Sequence, residues 1–184
     1  MDEFAALDRS TAGFATLLRA VGDEQWQLDT PDPGWTVRDL VNHVVGGNRR
    51  YVVLLAGAPT AEVEALRDLG HLGDDPVQAF TDTAAEMTEA FHRPGVLEMT
   101  VHHRLGDRSG AELLIMRVIE HTMHGWDLAR AIGADDVLDS EVVAVALAAF
   151  ARDPGMLERT SFPPAQLPPD LPADRLLLMI TGRR

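Results

Sequence analysis

The chain contains neither cysteine nor lysine, and these two absences restrict its chemistry. Without cysteine it has no disulfide, no thiolate zinc site and no thiol nucleophile of its own. A catalytic lysine is excluded because all 16 basic residues are arginine. No apolar run approaches the roughly 20 residues of a membrane-spanning helix, and the acidic N-terminus lacks the basic region of a signal peptide. We therefore expect a cytoplasmic protein with no membrane partner.

The formal net charge is −13 at pH 7. Such a surface repels phosphate backbones, so a nucleic-acid partner is not expected. The length of 184 residues is enough for one domain with its own core. The sequence shows no repeat and no low-complexity tract. We therefore expect a single domain over residues 1–184 whose partner is a small molecule.

Apolar residues recur at three- and four-residue steps along most of the chain, and this spacing predicts helices. The predicted long helices cover residues 2–21, 36–56, 77–91 and 110–132, and shorter ones cover residues 61–69, 140–150 and 173–180. Residues 96–105 alternate weakly, which indicates an extended segment or a small hairpin. Clustered prolines after residue 153 indicate a C-terminal strap over about 155–184. The predicted fold class is all-α, an antiparallel helical bundle with this strap.

Three residues have the types and positions expected of metal ligands. Glu120 and His124 are spaced i, i+4 on the predicted helix 110–132, so their side chains share one face. His43 lies near the apolar face of the helix 36–56. Side chains from facing helices build the metal sites of bundle cores. Two imidazoles and a carboxylate suit zinc, iron(II), nickel or manganese, and the pattern does not choose among them.

Other interpretations of these residues remain open at this point. His121 competes with Glu120, because His121 and His124 also have helical contact spacing. A Glu/His pair at i, i+4 is common on helices that bind no metal. His43 alone is also typical of a structural core histidine.

Two further residues lie near the same face of the helix 110–132. Asp127 is placed to accept the free N–H of a ligand histidine and so hold its tautomer. Arg117 is placed to pair with a carboxylate of the site or with an anionic substrate. Both also have the spacing of simple ion pairs with their neighbours. They are the weaker candidates for catalytic roles.

Two dipeptides follow His43 on the same predicted helix. Gly46 and Gly47 each cost about 1 kcal/mol of helix propensity relative to alanine. This cost indicates close packing, or room for a ligand next to His43. Arg49 and Arg50 are predicted to lie near the end of the helix, where their charges complement its dipole.

Two segments closely resemble the motifs of the DinB-like superfamily, and more narrowly of the mycothiol-dependent maleylpyruvate isomerase N-terminal-domain family. They are residues 35–48, WTVRDLVNHVVGGN, and residues 120–133, EHTMHGWDLARAIG. Residues 30–35 also fit the family's T-P-x-x-x-W pattern. The resemblance implies a DinB-like four-helix bundle, often a homodimer, with a zinc-like ion held by His43, Glu120 and His124. It also implies a low-molecular-weight thiol, such as mycothiol, as cofactor.

The expected function is therefore that of a divalent-metal-binding, thiol-dependent transferase or isomerase acting on a small electrophile. The full isomerase has a further C-terminal domain, which the short strap of this chain does not match. One alternative is a metal-dependent hydrolase in which Asp127 serves as general base. Another is a module that binds a metal or small ligand without catalysis.

Overall fold

The computed structural model describes residues 1–104, 106–153 and 170–183. Its elements in chain order are α1 (Glu3–Arg19), a 3-10 helix (Asp23–Gln27), α2 (Val37–Leu55), α3 (Thr60–Ala65), α4 (Pro76–His92), β1 (Thr100–His103), β2 (Gly106–Ser109), α5 (Gly110–Ile132), α6 (Ser140–Arg152) and α7 (Ala173–Ile180). This is the predicted all-α, DinB-like class with one small hairpin. None of the described helices is long and apolar enough to cross a membrane.

Short polar side chains cap the N-termini of the two helices that carry the candidate ligands. At α2 the Thr36 hydroxyl accepts from the backbone N–H of Asp39, and the Asp39 carboxylate accepts from the backbone N–H of Thr36. Ser109 and Glu112 form the same capping box at α5. Gly133 ends α5 in the left-handed conformation, with φ of 71°, which glycine adopts without steric cost. The ends of both helices are thus encoded locally.

The bundle consists of α1, α2, α4 and α5. α1 packs along α5, α2 packs along α4, and α2 also contacts α5. One part of its core contains Phe91 and Leu113, and another contains Phe14 and Phe80. The apolar faces predicted from periodicity point into these clusters. The contact between α2 and α5 brings the two helices with candidate ligands together.

The hairpin lies further along the chain than the sequence indicated. β1 pairs antiparallel with β2, with Thr100 opposite Ser109. The second strand follows the predicted segment 96–105, and it was missed because polar residues fill it and show no apolar alternation. Gly110 begins α5 directly after the hairpin, and a Cβ there would lie 1.9 Å from the carbonyl oxygen of Val96. Only glycine fits this close approach.

The C-terminal helix α7 docks on α6. Leu177, Leu178 and Ile180 are buried there in a cluster with Trp126 of α5. Residues 154–169, which hold half of the predicted strap and most of its prolines, lie outside the described residues. The described end of the chain therefore packs against α5 and α6, and this placement matters for the site.

The arginine pair of α2 does not lie at a helix end. α2 continues to Leu55, and its last turn contains no basic residue. The prediction that Arg49 and Arg50 complement the helix dipole is therefore wrong. Arg49 is exposed, whereas Arg50 is only 7% exposed. The glycines before them explain part of this burial, because α2 stays helical through Gly46 and Gly47 and leaves space beside them.

Candidate metal centre

Two histidines from different helices face each other between α2 and α5. The ring centroids of His43 and His124 are 5.1 Å apart. Trp35, in the loop before α2, lies against both, with centroid distances of 4.7 Å to His43 and 6.0 Å to His124. The Trp35 ring thus packs against two imidazoles that are separated by 81 positions in the sequence.

His43 is in the protonation state that a metal ligand needs. Burial lowers the pKa of His43 to about 3. Its imidazole is therefore neutral at physiological pH and has a lone pair to offer.

Glu120 lies one turn before His124 on α5, and its side chain is 34% exposed. Its carboxylate forms an ion pair with Arg117, whose side chain is fully buried. Burial by itself raises the pKa of Glu120, but positive charge nearby, that of Arg117 above all, outweighs burial and lowers the pKa. Glu120 is therefore ionised, and in this structure its carboxylate is turned toward Arg117.

His124 has two carboxylate neighbours at one ring nitrogen. Its Nδ1 lies 3.1 Å from Asp127 Oδ2 and 3.4 Å from Asp32 Oδ2. Burial lowers the pKa of His124, but its hydrogen bond to Asp127 and the nearby Asp32 carboxylate outweigh burial and raise it. The adjacent imidazole of His124 is the main reason that the pKa of Asp32 falls to about 2. With Nδ1 engaged, Nε2 is the His124 nitrogen left to bind an ion.

Among the described residues, Asp32, His124 and Asp127 are the one set whose three donor atoms lie within 4.8 Å of one another. This set is not a metal site, because the guanidinium of Arg183 already pairs with its carboxylates. Arg183 Nη2 lies 2.5 Å from Asp127 Oδ2 and 3.5 Å from Asp32 Oδ2. A metal ion there would meet the positive charge of that guanidinium. The two carboxylates of this set instead contact Nδ1 of His124.

Sequence reasoning missed two of these supporting residues. Asp32 lies in the T-P-x-x-x-W stretch, three residues before Trp35, so its place in that pattern was an available signal. Arg183 had no signal, since nothing in the C-terminal sequence indicates a contact with α5. The carboxylate of Asp127 lies at hydrogen-bond distance from His124, which is the contact that its predicted role requires, and the role itself stays a prediction.

His121 belongs to a different set of contacts. Its Nε2 lies 3.1 Å from Asn48 Oδ1, and its Nδ1 lies 3.1 Å from the hydroxyl of Thr11. Both ring nitrogens are engaged, and burial holds the pKa of His121 well below its usual value. A neutral imidazole satisfies this network with one donor and one acceptor nitrogen. His121 therefore has no nitrogen left for a metal, which favours Glu120 over His121 as the second candidate ligand on α5 beside His124.

Arg117 pairs with Glu120, and its side chain is fully buried among protein groups. Besides the ion pair, its guanidinium donates to Asn48 Oδ1 at 3.1 Å and to the carbonyl oxygen of Val44 at 2.8 Å. A Cβ at position 47 would lie 2.5 Å from Arg117 Nη1. Gly47 therefore leaves the space that this guanidinium occupies. Of the two roles predicted for Arg117, the structure shows the pairing with a carboxylate.

A family model described as the mycothiol maleylpyruvate isomerase N-terminal domain matches residues 7–129. Uncharacterized proteins of two Mycobacterium tuberculosis strains are each 34% identical to this chain over 151 residues. That alignment covers 81% of this chain and 78% of each relative.

Two crystal structures of a mycothiol-dependent maleylpyruvate isomerase share the fold. The first has a TM-score of 0.63, and a histidine-to-alanine mutant of the enzyme has 0.64. Both are 19% identical to this chain and cover 79% of it, and the match spans 66% of the enzyme. The chain thus corresponds to slightly less than two-thirds of that enzyme's length, and the likeness concerns the fold.

Proposed function

Since this chain belongs to the mycothiol maleylpyruvate isomerase N-terminal-domain family, we propose that it is a metal- and thiol-dependent isomerase or S-transferase acting on a small electrophile. Its metal ligands are His43, Glu120 and His124. The observation that carries this proposal is the His43–His124 pair between α2 and α5, with an ionised Glu120 one turn away.

The donor set fits a divalent transition metal. Two imidazole nitrogens and one carboxylate oxygen make a three-ligand site of the kind that leaves positions open for substrate. The low pKa of His43 keeps it deprotonated, and the Nδ1 contact of His124 leaves Nε2 available. Zinc is the metal we expect, because it is common in such sites with nitrogen and oxygen ligands.

A metal ion bound here lowers the pKa of a coordinated thiol, so that the thiolate is present at neutral pH. The thiol comes from a small molecule because the chain has no cysteine. The protein's own side chains prepare the site. Asp127 orients His124, Arg117 positions the Glu120 carboxylate, and the Trp35 ring excludes water from one side of the histidine pair.

The first experiment is elemental mass spectrometry of the purified protein and of the His43→Ala and His124→Ala variants. We expect about one equivalent of metal in the wild type and its loss in both variants. His102→Ala is the matched control, because His102 is exposed on the hairpin, and this variant should keep its metal. Wild-type protein that stays metal-free after reconstitution would contradict the proposal.

The second experiment tests thiol dependence on the zinc-loaded protein. Maleylpyruvate and a general electrophile are offered with and without mycothiol. Turnover that requires the thiol supports the proposal. Hydrolysis without thiol points instead to a metal hydrolase, and absence of turnover in both arms points to a binding module.

We further propose that the chain acts as a single domain over residues 1–184 and forms a homodimer. Light scattering coupled to size-exclusion chromatography distinguishes the 20.1 kDa monomer from a dimer. A single cooperative unfolding transition is the result expected of one domain.

A further inference from the structure

A cleft of about 150 Å³ lies between α1, α5 and the segment that joins α5 to α6. Buried side chains from three helices line it, namely Phe14, His121, Trp126 and Val142. None of the three candidate metal ligands belongs to its lining. A mainly apolar cleft of this volume accommodates one benzene-sized ring. It is therefore a candidate ligand site separate from the histidine pair.

Two glycines from facing helices also line this cleft, although the packing of the helices does not require them. Gly13 lies in the middle of α1, and a Cβ built there meets no atom within 4 Å. A Cβ at Gly125 of α5 would make only ordinary contacts, at 3.7 Å to Leu17 and 3.9 Å to Phe14. Glycine in a helix interior is less stable than alanine. The two missing side chains leave open a space that the fold does not fill.

An apolar side chain is exposed at the edge of the cleft. Val137 lines the cleft and is 82% exposed, more than any other large hydrophobic residue that the structure describes. Its backbone N–H donates a hydrogen bond to the Asp135 carboxylate at 3.1 Å, which fixes the segment between α5 and α6. A ligand with an apolar body would remove the surface of Val137 from water, and this burial is favourable.

The charged side chains in the lining are mostly acidic. Arg9 is the single cation there, and it pairs with Asp139 at 2.5 Å. Asp136 pairs with Arg130 at 3.2 Å. Asp135 is exposed and has no ion pair among the described residues. The lining therefore has an excess of negative charge in a chain whose net charge is −13, and such a field attracts a small cation.

We propose that this cleft binds a small amphipathic cation, a molecule in which an apolar ring carries an ammonium group. The ring packs against Phe14 and Trp126, and the ammonium group lies at the edge of the cleft beside Asp135. Burial of the ring supplies most of the affinity, and the carboxylate favours a cation over a neutral or anionic analogue. This site goes beyond the proposed function, because it uses neither the metal nor the thiol.

The test compares three probes of similar size by calorimetry on the full-length protein at neutral pH. Benzylamine is a cation, benzyl alcohol is neutral, and benzoate is an anion. We expect a dissociation constant in the millimolar range for benzylamine. Benzyl alcohol should bind about two- to fivefold more weakly, as the loss of an exposed ion pair predicts, and benzoate at least about tenfold more weakly. Equal binding of the three probes, or no binding of benzylamine, would overturn the proposal.

The Gly13→Leu variant tests the location of the site. Its side chain should occupy the cleft and weaken benzylamine binding by at least about tenfold. Ala12→Leu is the matched control, because Ala12 is the exposed neighbour on α1 and does not line the cleft, and it should bind as the wild type does. A folded Gly13→Leu protein with wild-type binding, or equal losses in the two variants, would contradict the assignment to this cleft.

The Asp135→Asn variant removes one charge with little change of shape and keeps the proposal testable if Gly13→Leu fails to fold. We expect benzylamine to bind about two- to fivefold more weakly and benzyl alcohol to bind as before. Asp74→Asn, at an exposed position outside the cleft, should change neither affinity. If Asp135→Asn keeps the full preference for benzylamine over benzyl alcohol, the carboxylate does not recognise the cation and the proposal fails.

An amine can also bind a metal ion, so the His43→Ala variant distinguishes the cleft from the candidate metal centre. We expect this variant to bind benzylamine as the wild type does, even when it loses metal. Retained binding in His43→Ala together with a metal-free wild type would leave the cleft standing and remove the metal proposal. Benzylamine binding that disappears in His43→Ala but persists in Gly13→Leu would place the amine at the histidine pair and overturn the cleft site.

Discussion

Arg183 donates two hydrogen bonds to the carboxylate of Asp127, from Nη2 to Oδ2 at 2.5 Å and from Nε to Oδ1 at 3.1 Å. Asp127 is fully buried, and its Oδ2 also contacts His124 Nδ1. The end of the chain is thereby connected to a candidate metal ligand through one carboxylate. The positive charge of Arg183 also compensates the buried negative charge of Asp127.

The Arg183→Ala variant should be strongly destabilised. It leaves the buried Asp127 carboxylate without its cation, and removing one partner of a buried pair costs about 3–5 kcal/mol. Urea unfolding measures the loss. Arg152→Ala is the control, because Arg152 pairs with Glu3 while 64% exposed, and such surface pairs contribute about 0–1 kcal/mol. Similar losses in the two variants would contradict the structural role of Arg183.

The Asp127→Asn variant should bind metal about 10- to 100-fold more weakly, because it weakens the contact that orients His124. Competition with a chelator of known affinity measures this on the folded protein. Asp136→Asn removes an exposed carboxylate that pairs with Arg130 at 3.2 Å and should leave metal affinity unchanged. An Asp127→Asn protein with wild-type affinity would show that Asp127 serves stability alone.

Two glycine-to-alanine substitutions should have opposite effects. A Cβ at Gly47 would lie 2.5 Å from the buried guanidinium of Arg117, and such overpacking costs about 1–3 kcal/mol. A Cβ at Gly13, in the middle of α1, meets no atom within 4 Å. Gly13→Ala should therefore stabilise the protein by about 0.5–1 kcal/mol through helix propensity. Thermal and urea unfolding measure the change in the free energy of unfolding for each variant. A stabilising Gly47→Ala would contradict the packing described.

The pH dependence of stability should be reduced in His71→Gln. Burial lowers the pKa of His71, although its contact with the Leu66 carbonyl opposes the shift. Below about pH 6.5 the unfolded chain therefore binds a proton that the folded chain does not. The free energy of unfolding consequently decreases as the pH is lowered. The slope from this one group is at most about 1.4 kcal/mol per pH unit.

Urea unfolding at about pH 7, 6 and 5 measures this effect as the difference between wild type and variant. The variant should lose less stability than the wild type over that range. His102→Gln, an exposed position on the hairpin, should match the wild type. Parallel pH profiles for wild type and His71→Gln would show that His71 makes no such contribution.

Local patterns were sufficient for the helices. Apolar spacing located α2 and α5, and the capping residue Thr36 and the terminal Gly133 marked helix ends that the structure confirms. Helical geometry places residues four positions apart on one face, so Glu120 and His124 were recognisable as a pair. The hairpin was harder, because its second strand contains no apolar alternation to recognise.

The sequence by itself determined the helical class and the candidate donors, since helix periodicity and i, i+4 spacing act over a few residues. Only the tertiary structure decided which groups from distant segments contact these candidate donors and their neighbours. It placed Arg183 on Asp127, 56 positions away, and it engaged both ring nitrogens of His121 with Thr11 and Asn48. It also buried Arg50 while leaving Arg49 exposed. Contacts between distant segments depend on how whole helices pack, and no local pattern encodes them.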